Sequence, residues 1–335
     1  YIKNNKMRII KFVTIGLLIA GATSFSGCNK EDEAKDKDED NPHNSDLIGS
    51  WNITSDGNVI PWGIAVDGNG NVYISELMGN RIGKYASTGT LITTWGTFGI
   101  NNGQFSWPKY IAVDGDNNIY VADEKNLRIQ KFNSAGLYVT KWEVDFAGTI
   151  AVDKLNKWVY TVDVSNVLQK FDLSGNFMMQ WGGTGTGDGQ LMLSNQNDLS
   201  NQGMNGQMAV DKAGNIYVVD NMNFRIQKFS SSGAYIMKWG SKGNGGGQFL
   251  FPCGIAIDSA NGFVYVADNS TQNGGAGNIA RIEKFDLMGK FIKQWIVTDD
   301  SDKSQVMALA VDKDGNVLSI RGSRVFKYAF KGIGS

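Results

Sequence analysis

Apolar and polar residues come in short alternating bursts along this chain. Residues 103–143 read GQFSWPKYIAVDGDNNIYVADEKNLRIQKFNSAGLYVTKWE and hold four apolar runs: Tyr110–Val113, Ile119–Ala122, Arg128–Phe132 and Tyr138–Trp142. The runs are rich in Ile, Val, Tyr and Phe, which suit a pleated, half-buried surface. Asp-Gly-Asp-Asn-Asn, Asp-Glu-Lys-Asn and Ser-Ala-Gly separate them, and such residues tolerate positive φ or cap their own backbone. No run is long enough for a helix with an apolar stripe. The pattern predicts a four-stranded antiparallel meander of roughly 40–50 residues, the length of one propeller blade.

The meander recurs six times. An Asp closes the first strand at Asp67, Asp114, Asp153, Asp211, Asp258 and Asp312. The third strand ends in an aromatic at Tyr85, Phe132, Phe171, Phe229, Phe285 and Tyr328, and the fourth in Trp95, Trp142, Trp181, Trp239 and Trp295. After Tyr328 no fourth strand follows, whereas a spare strand with its own Trp51 lies at residues 47–53 (LIGSWNI). The N-terminal strand is therefore expected to complete the last blade, leaving no long unpaired edge. The expected fold is all-β, a six-bladed propeller over residues 47–335. The repeated pattern GQF-x-x-P-x-x-IAVD, NIYVAD, N-x-RIQKF and KWG resembles the NHL repeat, whose family forms six-bladed β-propellers. The resemblance covers about residues 47–330.

Composition matters at the N-terminus. From Met7 the chain reads MRIIKFVTIGLLIAGATSFSGC, with Arg8 and Lys11 ahead of a short apolar run, the layout of a secretory signal. Residues 1–6 read as a spurious extension, and residues 1–27 as the leader. Ser26-Gly27-Cys28 resembles a bacterial lipobox, with Phe25 at the usual Leu position; the resemblance implies that Cys28 is lipidated. The other reading is ordinary secretion. Residues 28–46 carry three Lys against eight acids and read as a disordered linker. Acidic runs after a lipidated Cys resemble the export signal of Bacteroidetes surface lipoproteins, so an outer-membrane, surface-exposed location is expected, with the lipid as the sole membrane contact. Residues 47–335 are then formally neutral, which argues against nucleic acid as partner. The two cysteines, Cys28 and Cys253, make no disulfide framework.

Three residue sets could carry chemistry. The six strand-ending Asp are expected to cap their own turns. Asp312-Lys-Asp314-Gly-Asn316 resembles a calcium loop but lacks the distal Glu. Four acids end a second strand and four Arg begin the next: Glu76 and Arg81, Asp123 and Arg128, Asp220 and Arg225, Asp268 and Arg281. These are expected to be bidentate structural pairs; the alternative is an acidic ring around the channel. Finally, aligned first strands place Trp62, Lys109, Gly148, Gly206, Cys253 and Met307 at one level, and Gly63, Tyr110, Thr149, Gln207, Gly254 and Ala308 at the next. These positions vary between copies while the strands after them do not. Trp62, Lys109, Tyr110, Gln207, Cys253 and Met307 are therefore candidates for a glycan or peptide contact at the channel mouth, the other reading being that they fill it. The Trp at the strand ends read as blade packing.

Two insertions, 185–206 and 269–280, fall at equivalent ends of their blades, on one loop face, where binding loops gather. Relatives implied by the resemblance include amidating lyases, which hold zinc with several His, and lactonases. This chain has one His, His43, in the linker, so no His-rich zinc site can form in the propeller. The expectation is a monomeric binding or scaffold module for a protein, peptide or polysaccharide on the insertion-bearing face, without catalytic residues or cofactor. A calcium-dependent lyase or lactonase at the channel mouth is the alternative.

Overall fold

The chain divides into two compact units, Tyr1–Asp40 and Asn41–Ser335. The computed structural model describes residues 46–53, 60–193, 206–271, 278–297 and 304–330, all in the second unit. The leader, Cys28 and the linker to residue 45 lie outside the described residues, as do 194–205 and 272–277 of the two insertions.

Among the described residues, twenty-four strands form six four-stranded antiparallel sheets. The first blade is β2 (Pro61–Val66), β3 (Val72–Glu76), β4 (Arg81–Tyr85) and β5 (Leu91–Trp95); the second is β6 (Pro108–Val113), β7 (Ile119–Asp123), β8 (Arg128–Phe132) and β9 (Tyr138–Glu143). The third is β10 (Ile150–Asp153), β11 (Trp158–Val162), β12 (Val167–Asp172) and β13 (Phe177–Gly182). The fourth is β14 (Met208–Val210), β15 (Ile216–Asp220), β16 (Arg225–Phe229) and β17 (Tyr235–Trp239). The fifth is β18 (Pro252–Asp258), β19 (Phe263–Thr271), β20 (Asn278–Asp286) and β21 (Phe291–Ile296). The sixth joins β22 (Val306–Val311), β23 (Val317–Arg321) and β24 (Arg324–Tyr328) to β1 (Leu47–Asn52), which pairs with β24 from Leu47↔Tyr328 to Asn52↔Arg324. The ring thus closes through the N-terminal strand.

Burial grades outward. All six residues of β2 are buried, whereas β1 alternates half-buried with exposed. An innermost strand is covered on both faces by its neighbours and reads as a continuous apolar run; an outermost strand faces water on one side and alternates. The six innermost strands pack on one another around the ring.

Each junction is sealed by an aromatic layer. Trp95 lies 5.9 Å from Phe132 of the next blade, and Trp239 the same distance from Phe285. Beside Trp51, Trp95, Trp142, Trp181 and Trp239 sits the glycine of the next blade's outer hairpin. A Cβ on Gly136, which has φ +81°, would lie 2.8 Å from the Trp95 ring, so both conformation and space exclude a side chain there.

The second insertion departs from expectation at its ends. Residues 269–271 and 278–280 are not loop: they pair as Asn269↔Ala280, Ser270↔Ile279 and Thr271↔Asn278. Asn269 is buried, exchanging hydrogen bonds with Val306 N and O of the sixth blade. Among the described residues no helix is long and apolar enough to cross a membrane.

Candidate ligand-binding site

The strand-ending Asp are spent inside their blades. Asp114 Oδ1 accepts from the Asp116 and Asn118 amides, and Oδ2 from Asn118 Nδ2 and Tyr120 OH. Asp67 and Asp211 repeat the arrangement. A third-strand Lys stands behind: Lys131 Nζ is 3.8 Å and Lys228 Nζ 3.8 Å from the local carboxylate. Burial, then the Asp114 charge, pushes the Tyr120 phenol up. The calcium-loop-like Asp312 is filled the same way, by the Asp314 and Asn316 amides and by Lys327 at 2.8 Å. Burial opposes its charge, yet hydrogen bonds from Lys327 and Asn316 hold its carboxyl below the ordinary range.

The four acid–Arg pairs are formed, with Nε–carboxylate distances of 2.5 Å at Glu76–Arg81, 2.7 Å at Asp123–Arg128 and 2.6 Å at Asp220–Arg225. Arg281 gives both Nε and Nη2 to Asp268 Oδ2, whereas Arg128 and Arg225 meet their carboxylates through Nε. In Asp123–Arg128 one carboxylate oxygen takes Nε, while the guanidinium ends capture the Ile100, Asn101 and Gln104 carbonyls of the loop joining first and second blades. Arg225 captures Thr186, Gly187 and Gln190 in the same manner, and Arg281 captures Asn244, Gly243 and Gln248. A planar donor fork suits several carbonyls at once. These carboxylates are buried.

A partner of this clamp escaped the sequence reading. Gln130 Nε2 donates to Gln104 O and Asp123 Oδ2, and its Oε1 accepts from Gly103 N. Gln227 does likewise on the Gln190 loop. The signal was present. GQF or GQL occurs before the second, fourth and fifth blades, and those blades carry Arg128, Arg225 and Arg281, whereas the third has neither the motif nor the Arg, having Val167 instead.

The mouth residues come together but are not an exposed platform. Trp62 is 2% exposed, Tyr110 2% and Cys253 0%, and Lys109, Gln207 and Met307 are buried too. Gly63 explains the tightness, since a Cβ there would lie 2.6 Å from Lys109 O. Lys109 Nζ lies 2.5 Å from Glu124 Oε2 and 5.0 Å from the Trp62 ring centre. Burial lowers the Lys109 pKa, with Glu124 working against it. Gln207 spans three blades: its Oε1 accepts from Ile255 N and Leu309 N, and its Nε2 donates to Leu309 O. Cys253 Sγ contacts Val306 O at 3.2 Å, and burial pushes its thiol up, which disfavours the reactive thiolate. These residues plug one end of the channel.

The opposite end is open. A cavity of ≈ 370 Å³ is walled by Val66, Val152, Val210, Ile257 and Val311 and rimmed by Lys154, Lys212 and Lys313. The loop face at the plugged end shows apolar side chains of its own. Phe98 is 73% and Ile100 75% exposed, in the loop before β6, and Met78, Leu127, Val164 and Met222 are exposed in loops between second and third strands. Thr184 and Thr186, or Lys242 and Asn244, fill the positions of Phe98 and Ile100 in sister loops, so folding does not require apolar residues there. Among the described residues no group of three His, Cys, Asp or Glu could hold a metal ion. Calcium asks for six to eight oxygens, and the plug, with Trp62, Cys253, Met307 and a Glu124 already shared by Lys109 and Lys125, does not fit it.

Comparison with known proteins agrees with this architecture. Residues 206–314 match a family described as 6-bladed beta-propeller, and residues 105–132 match the NHL repeat. No curated protein matches the chain. Among solved structures, a structural genomics protein of unknown function from Bacteroides thetaiotaomicron VPI-5482 is similar at 18% identity and TM-score 0.61, covering 85% of this chain and 72% of that one. Virginiamycin B lyase from Staphylococcus aureus is similar at 12% identity and TM-score 0.53, covering 84% and 99%. A catalytically inactive His-to-Ala form of that lyase, with quinupristin, gives the same figures. At these identities the likeness speaks to fold alone, and what it shows, with the sheets themselves, is a six-bladed β-propeller.

Proposed function

We propose that this chain is an exported propeller, tethered to the outer membrane through lipidated Cys28 and displayed at the cell surface. In this reading it is a monomer that binds a protein, peptide or polysaccharide on its loop face. The observation that carries the reading is the exposure of apolar side chains there, led by Phe98 and Ile100. Large exposed apolar side chains beyond what folding needs are suited to an interaction site. Both insertions open onto the same face. The plugged channel mouth beneath is a rigid floor for such a site.

The test is a glycan and peptide array probed with residues 46–335 and with a Phe98→Ser/Ile100→Ser variant. Binding that falls at least tenfold in the variant, at unchanged melting temperature, supports the reading; equal binding by both proteins, or no binding by either, counts against it. A companion deletion should take residues 272–277 alone, because Asn269, which pairs with Ala280, bonds the fifth blade to Val306 of the sixth.

The likeness to virginiamycin B lyase favours a second reading, a metal-dependent lyase or lactonase at the channel mouth. The inactive His-to-Ala form of that enzyme speaks against transferring its chemistry, since this chain's one His is His43. Metal content, and melting temperature with and without EDTA, separate the readings: a stoichiometric metal whose removal lowers the melting temperature would favour the enzyme.

A further inference from the structure

Four of the six third-strand lysines end on a main-chain carbonyl of the next blade's outer hairpin. Lys84 Nζ donates to Ser134 O at 2.7 Å, Lys131 to Leu173 O at 3.3 Å, Lys170 to Ser231 O at 2.9 Å and Lys228 to Leu287 O at 3.2 Å. Each acceptor lies two residues before the hairpin glycine, at Gly136, Gly175, Gly233 and Gly289. Lys327 turns to Asp312 instead. Lys284 faces the sixth blade, whose fourth strand is β1 from the far end of the chain, so no hairpin joins β24 to a following strand. Ala329 and Phe330, which follow β24, line its slot, but among the described residues no carbonyl reaches Lys284.

The slot is open and shaped. A cavity of ≈ 340 Å³ lies between the fifth and sixth blades, lined by Phe263, Tyr265, Lys284, Asn261, Asn316 and Phe330 among others. Lys284 is 4% exposed. Its Nζ sits 3.5 Å from the centre of the Phe263 ring and 5.6 Å from that of Tyr265, with no hydrogen bond or ion pair among the described residues. The sister site in the third blade shows what is missing. There Lys170 lies 4.2 Å over Trp158 and 5.9 Å over Tyr160, and it also reaches the Ser231 carbonyl. A buried ammonium with only ring faces for partners leaves donors unsatisfied. Burial accordingly lowers the Lys284 pKa, with Asp258 opposing.

We propose that this seam slot binds a peptide turn from a partner protein, which presents a main-chain carbonyl to Lys284. Four intramolecular copies of the complex are already in the fold. A neutral carbonyl suits the slot better than an anion, because Asp258 and Asp314 also line it and would repel a carboxylate. The site lies at the turn end of the blades, away from the loop face, and stands whether or not the loop face binds anything.

The probe is a labelled peptide of residues 132–138 (FNSAGLY), whose parent hairpin meets Lys84, titrated against residues 46–335 by fluorescence anisotropy. Saturable binding is expected, weakened at least tenfold by Lys284→Met, which keeps the stem over Phe263. Lys131→Met, whose slot is filled by the hairpin of the third blade, should leave binding unchanged. Exchanging the glycine of the peptide (Gly136→Val) removes its left-handed turn and should abolish binding. No binding to the parent protein, or equal binding to Lys284→Met, overturns the proposal. Loss of loop-face binding by Phe98→Ser/Ile100→Ser with intact turn-peptide binding would show the two sites to be separate.

Discussion

One residue in the fifth blade breaks the repeat in a way that pH should reveal. Glu283 stands where Gln130 and Gln227 stand in their blades. Its Oε2 accepts from Gly247 N at 2.7 Å, as Gln130 Oε1 accepts from Gly103 N. Its Oε1 therefore takes the place of the amide nitrogen that donates to the loop carbonyl in the sister blades. Only a protonated carboxyl can donate there. Burial, with Arg281 and the Gly247 amide opposing and Asp268 assisting, pushes the Glu283 carboxyl from 4.5 up to about 7. For an acid raised on folding, the folded state holds the extra proton between the two values, so stability falls as pH rises from about 4.5 to about 7. Glu283→Gln makes the donor permanent. Thermal melts should show the variant close to the parent at pH 4.5 and more stable at pH 8, by about 2–3 kcal/mol. A gap that does not change with pH would mean that the carboxyl is not the titrating group.

At the level of elements, the closing seam is the place where the repeat had to be improvised. Elsewhere a hairpin glycine covers each strand-ending Trp: Gly136 on Trp95, Gly175 on Trp142, Gly233 on Trp181 and Gly289 on Trp239. Trp295 meets a blade without that hairpin, and Phe330 takes the vacancy. Its ring stacks 4.0 Å from Trp295 and 5.0 Å from Tyr328. Phe330→Ala should cost about 3–5 kcal/mol, the usual loss for a buried Phe. An equal truncation of the exposed Phe177 should cost far less, and comparison of their denaturant midpoints checks the claim. The blade count, the strand order and the closure by residues 47–53 were legible because period-2 alternation and Trp51 are local signals. Phe330 was not, since its partner Trp295 belongs to another blade and only the ring geometry brings them together. The clamp of Arg128 on the Gln104 loop was half legible: the pair with Asp123 followed from strand ends, but its carbonyl partners needed the path of the connecting loop. The mouth residues were read as two neighbouring levels of the inner strands, and their burial depended on how close Gly63 lets two inner strands come.

On the scale of the whole molecule, stability hangs on β1, which lies farthest in sequence from its partner. Pairing Asn52 with Arg324 and Leu47 with Tyr328 closes a loop of nearly the entire propeller, and such long-range contacts are the entropically expensive ones. The closing strand brings Trp51 against Gly89 of the first blade, a hydrogen bond from Arg324 Nη2 to Ser50 Oγ, and cover for β24. Without it β24 becomes an exposed edge, the template on which strands of other chains add. A protein lacking residues 47–53 should therefore melt at lower temperature and self-associate, while one lacking only the residues before 46 should match the full chain. A synthetic peptide of residues 46–53, added in trans, should restore the monomer and part of the melting temperature by mass action on the folded ring. Size-exclusion profiles and melts at several peptide concentrations read both effects. If the strand-deleted protein stays monomeric at an unchanged melting temperature, the ring is held by its inner strands alone and β1 is ornament rather than lock.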